Sequence, residues 1–280
     1  QVVREAAGGK KSVGGARDRD NGELRFSLRS IQRYLPWWKG KLYIVTPNQV
    51  PSWIDVGHPR LQVVDQDVLF PPEDRDVLPT FNTNAIEQWM WRIPGLVEDT
   101  ATAGQDLDPK MFVHMNDDYI FTSAIRPQDL FGPTCAGMRL LLERGMVKHR
   151  SAAEIAAMQA KGGRTWVNSV ANSVFALDKR YNPASEHPYL KHAPFVYSIE
   201  GSATVSEEYR VELRTTMEHK FRDPADVIYP LLHHGYMRGE GAAALGIDIS
   251  IATQKEALEL MLLSLSGMLV PDESCCVSRA

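Results

Sequence analysis

Apolar positions along this chain follow two rhythms. From residue 21, Leu24, Leu28, Ile31 and Leu35 recur at spacings of four, three and four. That spacing lays one apolar stripe along a helix, and Pro36 ends it. The runs KLYIVT (41–46) and RLQVVD (60–65) are short, β-branched or aromatic, and bounded by Pro, Gly and Asp. They predict strands of a mostly buried sheet. A helix is expected over 84–92, stopped before Pro94-Gly95, and MFVHM (111–115) predicts a third buried strand that empties into Asn116-Asp117-Asp118. Strands alternating with helices imply a three-layer α/β domain.

The second half reads as more helical. Residues 152–160 predict a helix capped by Ser151 with Glu154 in its first turn and Gly162-Gly163 at its end. Helices are also expected over 206–220 and 225–233, on either side of Asp223-Pro224, and an amphipathic one over 254–265. No internal repeat or heptad pattern is present. The expected organisation is a flexible glycine-rich segment over 1–18, an α/β half over 19–150, a helical half of the same domain over 151–245, and a C-terminal helix and tail over 246–280.

Composition narrows the function classes. The 280 residues are 44% hydrophobic and 24% charged, ordinary for a chain that buries a core. Lys and Arg number 31 against 35 Asp and Glu, a formal charge of −4, which disfavours a general nucleic-acid binder. Three Cys exclude a disulfide-stapled scaffold, and the lack of a CxxC pair disfavours a thiolate zinc site. The stretch 257–270 is interrupted by Glu259 and several Ser, too short and polar to span a bilayer, so no membrane contact is expected within this segment. The chain opens on Gln without a signal-like apolar run and reads as a segment of a longer product.

The main chemical signal is Asn116-Asp117-Asp118 at the end of an apolar strand, where ligands of open α/β sheets bind. Two adjacent carboxylates there are hard oxygen ligands suited to Mg²⁺ or Mn²⁺; equally, they could start a turn or cap a helix. Arg19, Asp20, Asn21, Glu23 and Arg25 surround the first helix start, as an anion site or a capped, salt-bridged end. Asn82, Asn84 and Glu87 stand where a loop enters a helix, suited to sugar hydroxyls or to capping. His192, in a Pro-bounded loop, is a candidate general base or a plain surface residue. Arg222 is a candidate phosphate clamp or an ion-pair partner of Asp223 or Asp226. His187, His192, His219, His233 and His234 fit no HExxH-like motif.

These segments, taken together, resemble the Stealth family of sugar-1-phosphate transferases. The likeness runs collinearly through RDNGELRFSLRSIQRYLPW (19–37), LYIVTPNQVPSWID (42–55), HPRLQVVDQDVLFP (58–71), LPTFNTNAIEQWMWRIPGL (78–96) and FVHMNDDYIF (112–121), then through LKHAPFV (190–196) and HKFRDPADV (219–227). The family's opening Asp-Val-Val-Tyr-Thr-Trp-like signature has no counterpart in 1–17, nor its closing Asn-Asp signature in 268–280.

The resemblance implies a GT-A-like, Rossmann-like mixed sheet flanked by helices. It also implies transfer of a sugar-1-phosphate, an N-acetylhexosamine-1-phosphate, from a UDP-sugar donor to a hydroxyl of a glycan acceptor, with release of UMP. By the same carry-over Asp117 and Asp118 bind Mg²⁺ or Mn²⁺ and position the pyrophosphate, and Asn116 orients that loop or touches the donor. His192 is the base for the acceptor hydroxyl, and Arg222 stabilises the transferring phosphoryl oxygens. Asp20, Asn21, Glu23 and Arg25 sit on the donor side, and Asn82, Asn84 and Glu87 contact the sugar. Relatives of this kind act in the animal Golgi and in capsule-making bacteria. A homodimer, a glycosyltransferase releasing UDP and a non-catalytic sugar-binding relative remain open.

Overall fold

The computed structural model describes residues 21–97, 110–162, 164–181 and 187–253. Asp20, Arg19, the glycine-rich segment 1–18 and the helix expected over 254–265 lie outside the described residues. Helix α1 (Glu23–Tyr34) starts after Gly22, whose φ of 82° is a left-handed conformation suited to glycine. The strands β1 (Leu42–Thr46) and β2 (Leu61–Asp65) pair in parallel, with Ile44 opposite Val63. Only Ile44 and Val64 of these two strands are fully buried. The expectation of a mostly buried sheet is corrected here, because β1 lines an open cleft.

The helix expected over 84–92 is two pieces. Asn82 caps α2 (Thr83–Glu87), and a 3-10 turn, Met90–Arg92, follows. Strand β3 (Met111–His114) runs antiparallel to β6 (Phe195–Ser198), so the two halves of the chain share hydrogen bonds. Phe112 faces Tyr197 with ring centroids 5.3 Å apart.

After the short helix α3 (Pro127–Phe131), strand β4 (Met138–Met146) forms the middle of a second sheet. It pairs antiparallel with β5 (Pro188–Leu190) and parallel with β7 (Ile249–Thr253). Gly137 lets this happen: a Cβ there would stand 2.2 Å from the Asp248 carbonyl oxygen. Strand β6 also lies beside β4, so the sheets adjoin.

Helix α4 (Ala152–Lys161) carries the expected capping box between Ser151 and Glu154. Helix α5 (Thr165–Arg180) was not foreseen; its polar Asn168, Ser169 and Ser173 are buried and broke the apolar periodicity. The helix expected over 206–220 begins earlier and divides into α6 (Ile199–Glu208) and α7 (Arg210–Glu218). The one expected over 225–233 is α8 (Tyr229–Tyr236), displaced because Asp226 and its neighbours form a buried turn. A π-turn, Met237–Gly241, leads into α9 (Ala242–Leu245). One apolar core runs from Leu35 through Leu140 and Tyr197 to Ile247, with a smaller cluster around Val147, Val170 and Val174. The fold is α/β. No described helix is long and apolar enough to cross a membrane.

Candidate active site

A cleft of about 1850 Å³ opens between α1 and β1 on one side and the end of β3 on the other. The apolar stripe of α1 explains its floor. Leu24, Leu28 and Ile31 line the cleft, while Ser27 and Ser30 on the neighbouring face are buried. Ser30 accepts the Phe121 backbone N–H at 3.0 Å, tying the helix to the segment just beyond the acidic turn.

Asn116, Asp117 and Asp118 line the same cleft. They leave β3 in a turn closed by the Tyr119 N–H donating to the Asn116 carbonyl at 3.1 Å. Partial enclosure raises the Asp117 carboxyl above the usual range. The adjacent Asp118 charge raises it further, and Glu23 adds to the effect. Negative charge gathered on a strand-to-loop junction favours a bound cation. No third His, Cys, Asp or Glu joins the two aspartates in a ready-made cage among the described residues. Their chemistry suits Mg²⁺, which is commonly held by one or two carboxylates with water and substrate phosphate completing the shell.

The opposite wall carries Arg222, Thr83 and Glu87. Arg222 donates from Nε to Thr83 Oγ1 at 2.8 Å. Its segment is fixed by Phe221 stacking on Phe81 at 5.5 Å and by the Phe81 N–H donating to the Lys220 carbonyl at 2.9 Å. Burial pushes the Glu87 carboxyl up to about 7, with the Arg222 charge opposing. Glu87 is therefore a carboxyl that can give or take a proton near neutral pH.

His192 is exposed, in the loop between β5 and β6, outside the cleft lining. It reaches the acidic turn through Tyr119, which is buried and whose ring it meets edge to face at 4.7 Å. The Tyr119 hydroxyl finds no hydrogen-bond partner among the described residues. Burial and then the charges of Asp118 and Glu87 hold its proton on more tightly than usual. Asp117, Asp118, Arg222 and Glu87 thus share one cleft, and His192 stands outside it, against Tyr119.

Other expected residues stand elsewhere. Asn82 and Asn84 are buried, and both donate to Asp226 Oδ2, at 2.9 and 3.1 Å. Neither lines the cleft, and their amide nitrogens are engaged within the protein rather than directed at it. Asp226 Oδ1 also faces His219 Nδ1 at 2.8 Å, and the Asp223 N–H donates to Oδ2 at 3.0 Å. Asn21 donates through its backbone and side-chain nitrogens to Glu23, both at 2.8 Å, which holds the Glu23 carboxylate below its usual range. The Arg25 guanidinium lies 4.9 Å from the Trp53 ring centroid. Neither Asn21 nor Arg25 lines the cleft.

Sequence reasoning overlooked Tyr119 and His114. Tyr119 directly follows the acidic pair, the one signal available. His114 lines the cleft, its Nδ1 has no partner among the described residues, and burial lowers its pKa to about 4.

Residues 17–137 match the model for Stealth protein conserved region 2, and residues 191–238 that for conserved region 3. The first region contains the acidic turn and Glu87, and the second His192 and Arg222. An exopolysaccharide phosphotransferase of Streptomyces coelicolor is 28% identical over 228 residues, 81% of this chain and 34% of the relative. A capsular polysaccharide phosphotransferase of Neisseria meningitidis is 27% identical over 210 residues, 74% of this chain and 50% of the relative. The N-acetylglucosamine-1-phosphotransferase subunits alpha/beta of Homo sapiens are 36% identical over 121 residues, 43% of this chain and 8% of theirs. The chain spans between a twelfth and a half of these relatives. With both conserved regions present in order and meeting at one cleft, the chain belongs to the Stealth protein family.

Proposed function

We propose that this chain carries the site that transfers a sugar-1-phosphate, as an N-acetylhexosamine-1-phosphate, from a UDP-sugar to a hydroxyl of a glycan acceptor. The acceptor oxygen attacks the sugar-linked phosphorus and forms a new P–O bond. The P–O bond to the bridging oxygen breaks, UMP departs, and the hydroxyl proton passes to a base. The sugar keeps its anomeric C–O bond throughout.

Asp117 and Asp118 would hold Mg²⁺ or Mn²⁺, which supplies charge neutralisation on the pyrophosphate. Arg222, fixed through Thr83, binds the phosphoryl oxygens as negative charge spreads over them. His192 takes the acceptor proton, and Tyr119 at 4.7 Å sets the angle of its ring. Glu87, with a carboxyl near neutral pKa, donates to a donor oxygen when protonated. Catalysis of this type is mainly positioning and charge stabilisation.

The observation that carries the reading is the shared cleft of Asp117, Asp118, Glu87 and Arg222. The test is to incubate the chain with UDP-N-acetylhexosamine, Mg²⁺ and a sugar acceptor and to identify the nucleotide released. Acceptor-dependent UMP supports phosphotransfer. UDP means glycosyl transfer through the same cleft, and no nucleotide release means that this segment lacks the activity; either result removes the proposal.

A further inference from the structure

Between the two conserved regions, three side chains from separate parts of the fold converge on one point. His149 follows β4, Asp178 lies in the last turn of α5, and His187 immediately precedes β5. His149 Nδ1 is 2.9 Å from Asp178 Oδ2, and His187 Nε2 is 3.0 Å from Asp178 Oδ1. One ligand atom of each lies within 4.8 Å of the other two, and among the described residues this is the group of His, Cys, Asp and Glu so disposed.

From this geometry we infer that His149, Asp178 and His187 bind one divalent transition-metal ion of the Zn²⁺ type. Two imidazoles and one carboxylate form a nitrogen-rich donor set that suits zinc and its neighbours over Mg²⁺ or Ca²⁺. Ligands arranged tetrahedrally at about 2.0–2.1 Å from zinc stand roughly 3.3 Å apart. Each His–Asp separation, to one or other carboxylate oxygen, is a few tenths of an ångström short of that spacing, and with one Asp178 oxygen as ligand all three donor atoms lie within 4.8 Å of one another.

The side chains of Asp178 and His187 are 9% and 7% exposed, whereas His149 is 38% exposed. The site is therefore anchored in protein and open to solvent on the His149 side, which leaves a fourth position for a water ligand. The Val147 N–H donates to the His187 carbonyl at 2.9 Å, so the backbones carrying the two histidines are already bound together. A metal here pins the end of α5 to the β4–β5 pair. The inference is independent of the proposed transfer reaction, since none of these residues lines the cleft.

The test uses the full chain, stripped with chelator and titrated with Zn²⁺ in excess Mg²⁺, which occupies hard carboxylate sites. Bound metal is counted by mass spectrometry, and Co²⁺ is used in parallel for its visible absorption. Expected results are one equivalent of Zn²⁺, a rise in Tm, and a Co²⁺ spectrum that Zn²⁺ abolishes. His149→Ala, the exposed ligand, should weaken Zn²⁺ binding by more than about 100-fold, beyond the range of outer-shell changes. Asp178→Asn, nearly isosteric, should do the same. Asp117→Asn and Asp118→Asn should leave it unchanged. Sub-stoichiometric uptake by the wild-type chain, no saturable Co²⁺ spectrum, or zinc affinity unaltered in His149→Ala or Asp178→Asn overturns the inference. The wild-type measurements decide it even where a variant does not fold.

Discussion

Tyr119 and His192 meet edge to face, with ring centroids 4.7 Å apart and planes inclined at 80°. One follows the acidic turn of the first conserved region, and the other belongs to the second. The contact sets where an imidazole stands relative to the carboxylates. His192→Ala is expected to cut turnover by roughly 100-fold or more, the range for a lost acid–base group, with little change in donor affinity. Tyr119→Phe keeps the ring and should cost far less, whereas Tyr119→Ala should approach the His192 variant. Steady-state kinetics with donor and acceptor varied separately distinguish these outcomes; normal turnover in His192→Ala would sink the base assignment.

Asp118→Asn removes one oxygen ligand and almost no packing, because Asp118 is exposed. Turnover should fall by about 100-fold or more, as when a charge-stabilising group is lost, with an unchanged circular dichroism spectrum. Added Mg²⁺ or Mn²⁺ should restore part of it if the loss is one of metal affinity. Wild-type rates in this variant would exclude a metal role for the pair.

Glu87 gives a pH signature in stability. Burial pushes its folded-state carboxyl up to about 7, from an ordinary value of 4.5. The folded protein therefore binds more protons than the unfolded chain between those values, and stability declines as pH rises through that window. Glu87→Gln should remove this decline. Relative to wild type it should gain on the order of 3 kcal/mol between pH 4.5 and 8, read from urea unfolding at each pH. Parallel pH profiles for the two proteins would contradict the assignment.

Asp226 is fully buried and serves Asn82, Asn84, His219 and the Asp223 backbone. Replacing it by Ala leaves four polar groups without their acceptor and should cost about 3–5 kcal/mol, the range for breaking a buried charged network. Asn82→Ala removes one donor and a cap and should cost about 1–2 kcal/mol. Thermal or denaturant unfolding measures both. If Asn82 instead acted on a sugar, its variant would lose donor affinity while keeping full stability.

Much of the first half was legible from periodicity and punctuation. The α1 stripe, the β1 and β2 runs and the strand feeding Asn116-Asp117-Asp118 each follow a local pattern that the chain's own spacing reveals. Helix α5 was not legible because Ser169 and Ser173 are buried and bonded to backbone carbonyls, so polar residues occupy its inward face. The roles of Asn82 and Asn84 were hidden for a related reason: their partner, Asp226, is more than 140 positions away. Spacing along the chain carries no record of a contact that long. Residue type alone made them equally good as ligand contacts or as internal donors.

The antiparallel ladder between Met111–His114 and Phe195–Ser198 binds the chemistry to both parts of the gene product. A cut between positions 121 and 190 would spare every proposed reacting group. Yet it would oblige two fragments to find each other before the acid-bearing turn and the imidazole could face the same molecule. Recombinant halves mixed in solution should then behave as a bimolecular assembly, dependent on their concentrations, and neither half alone would carry the whole pocket.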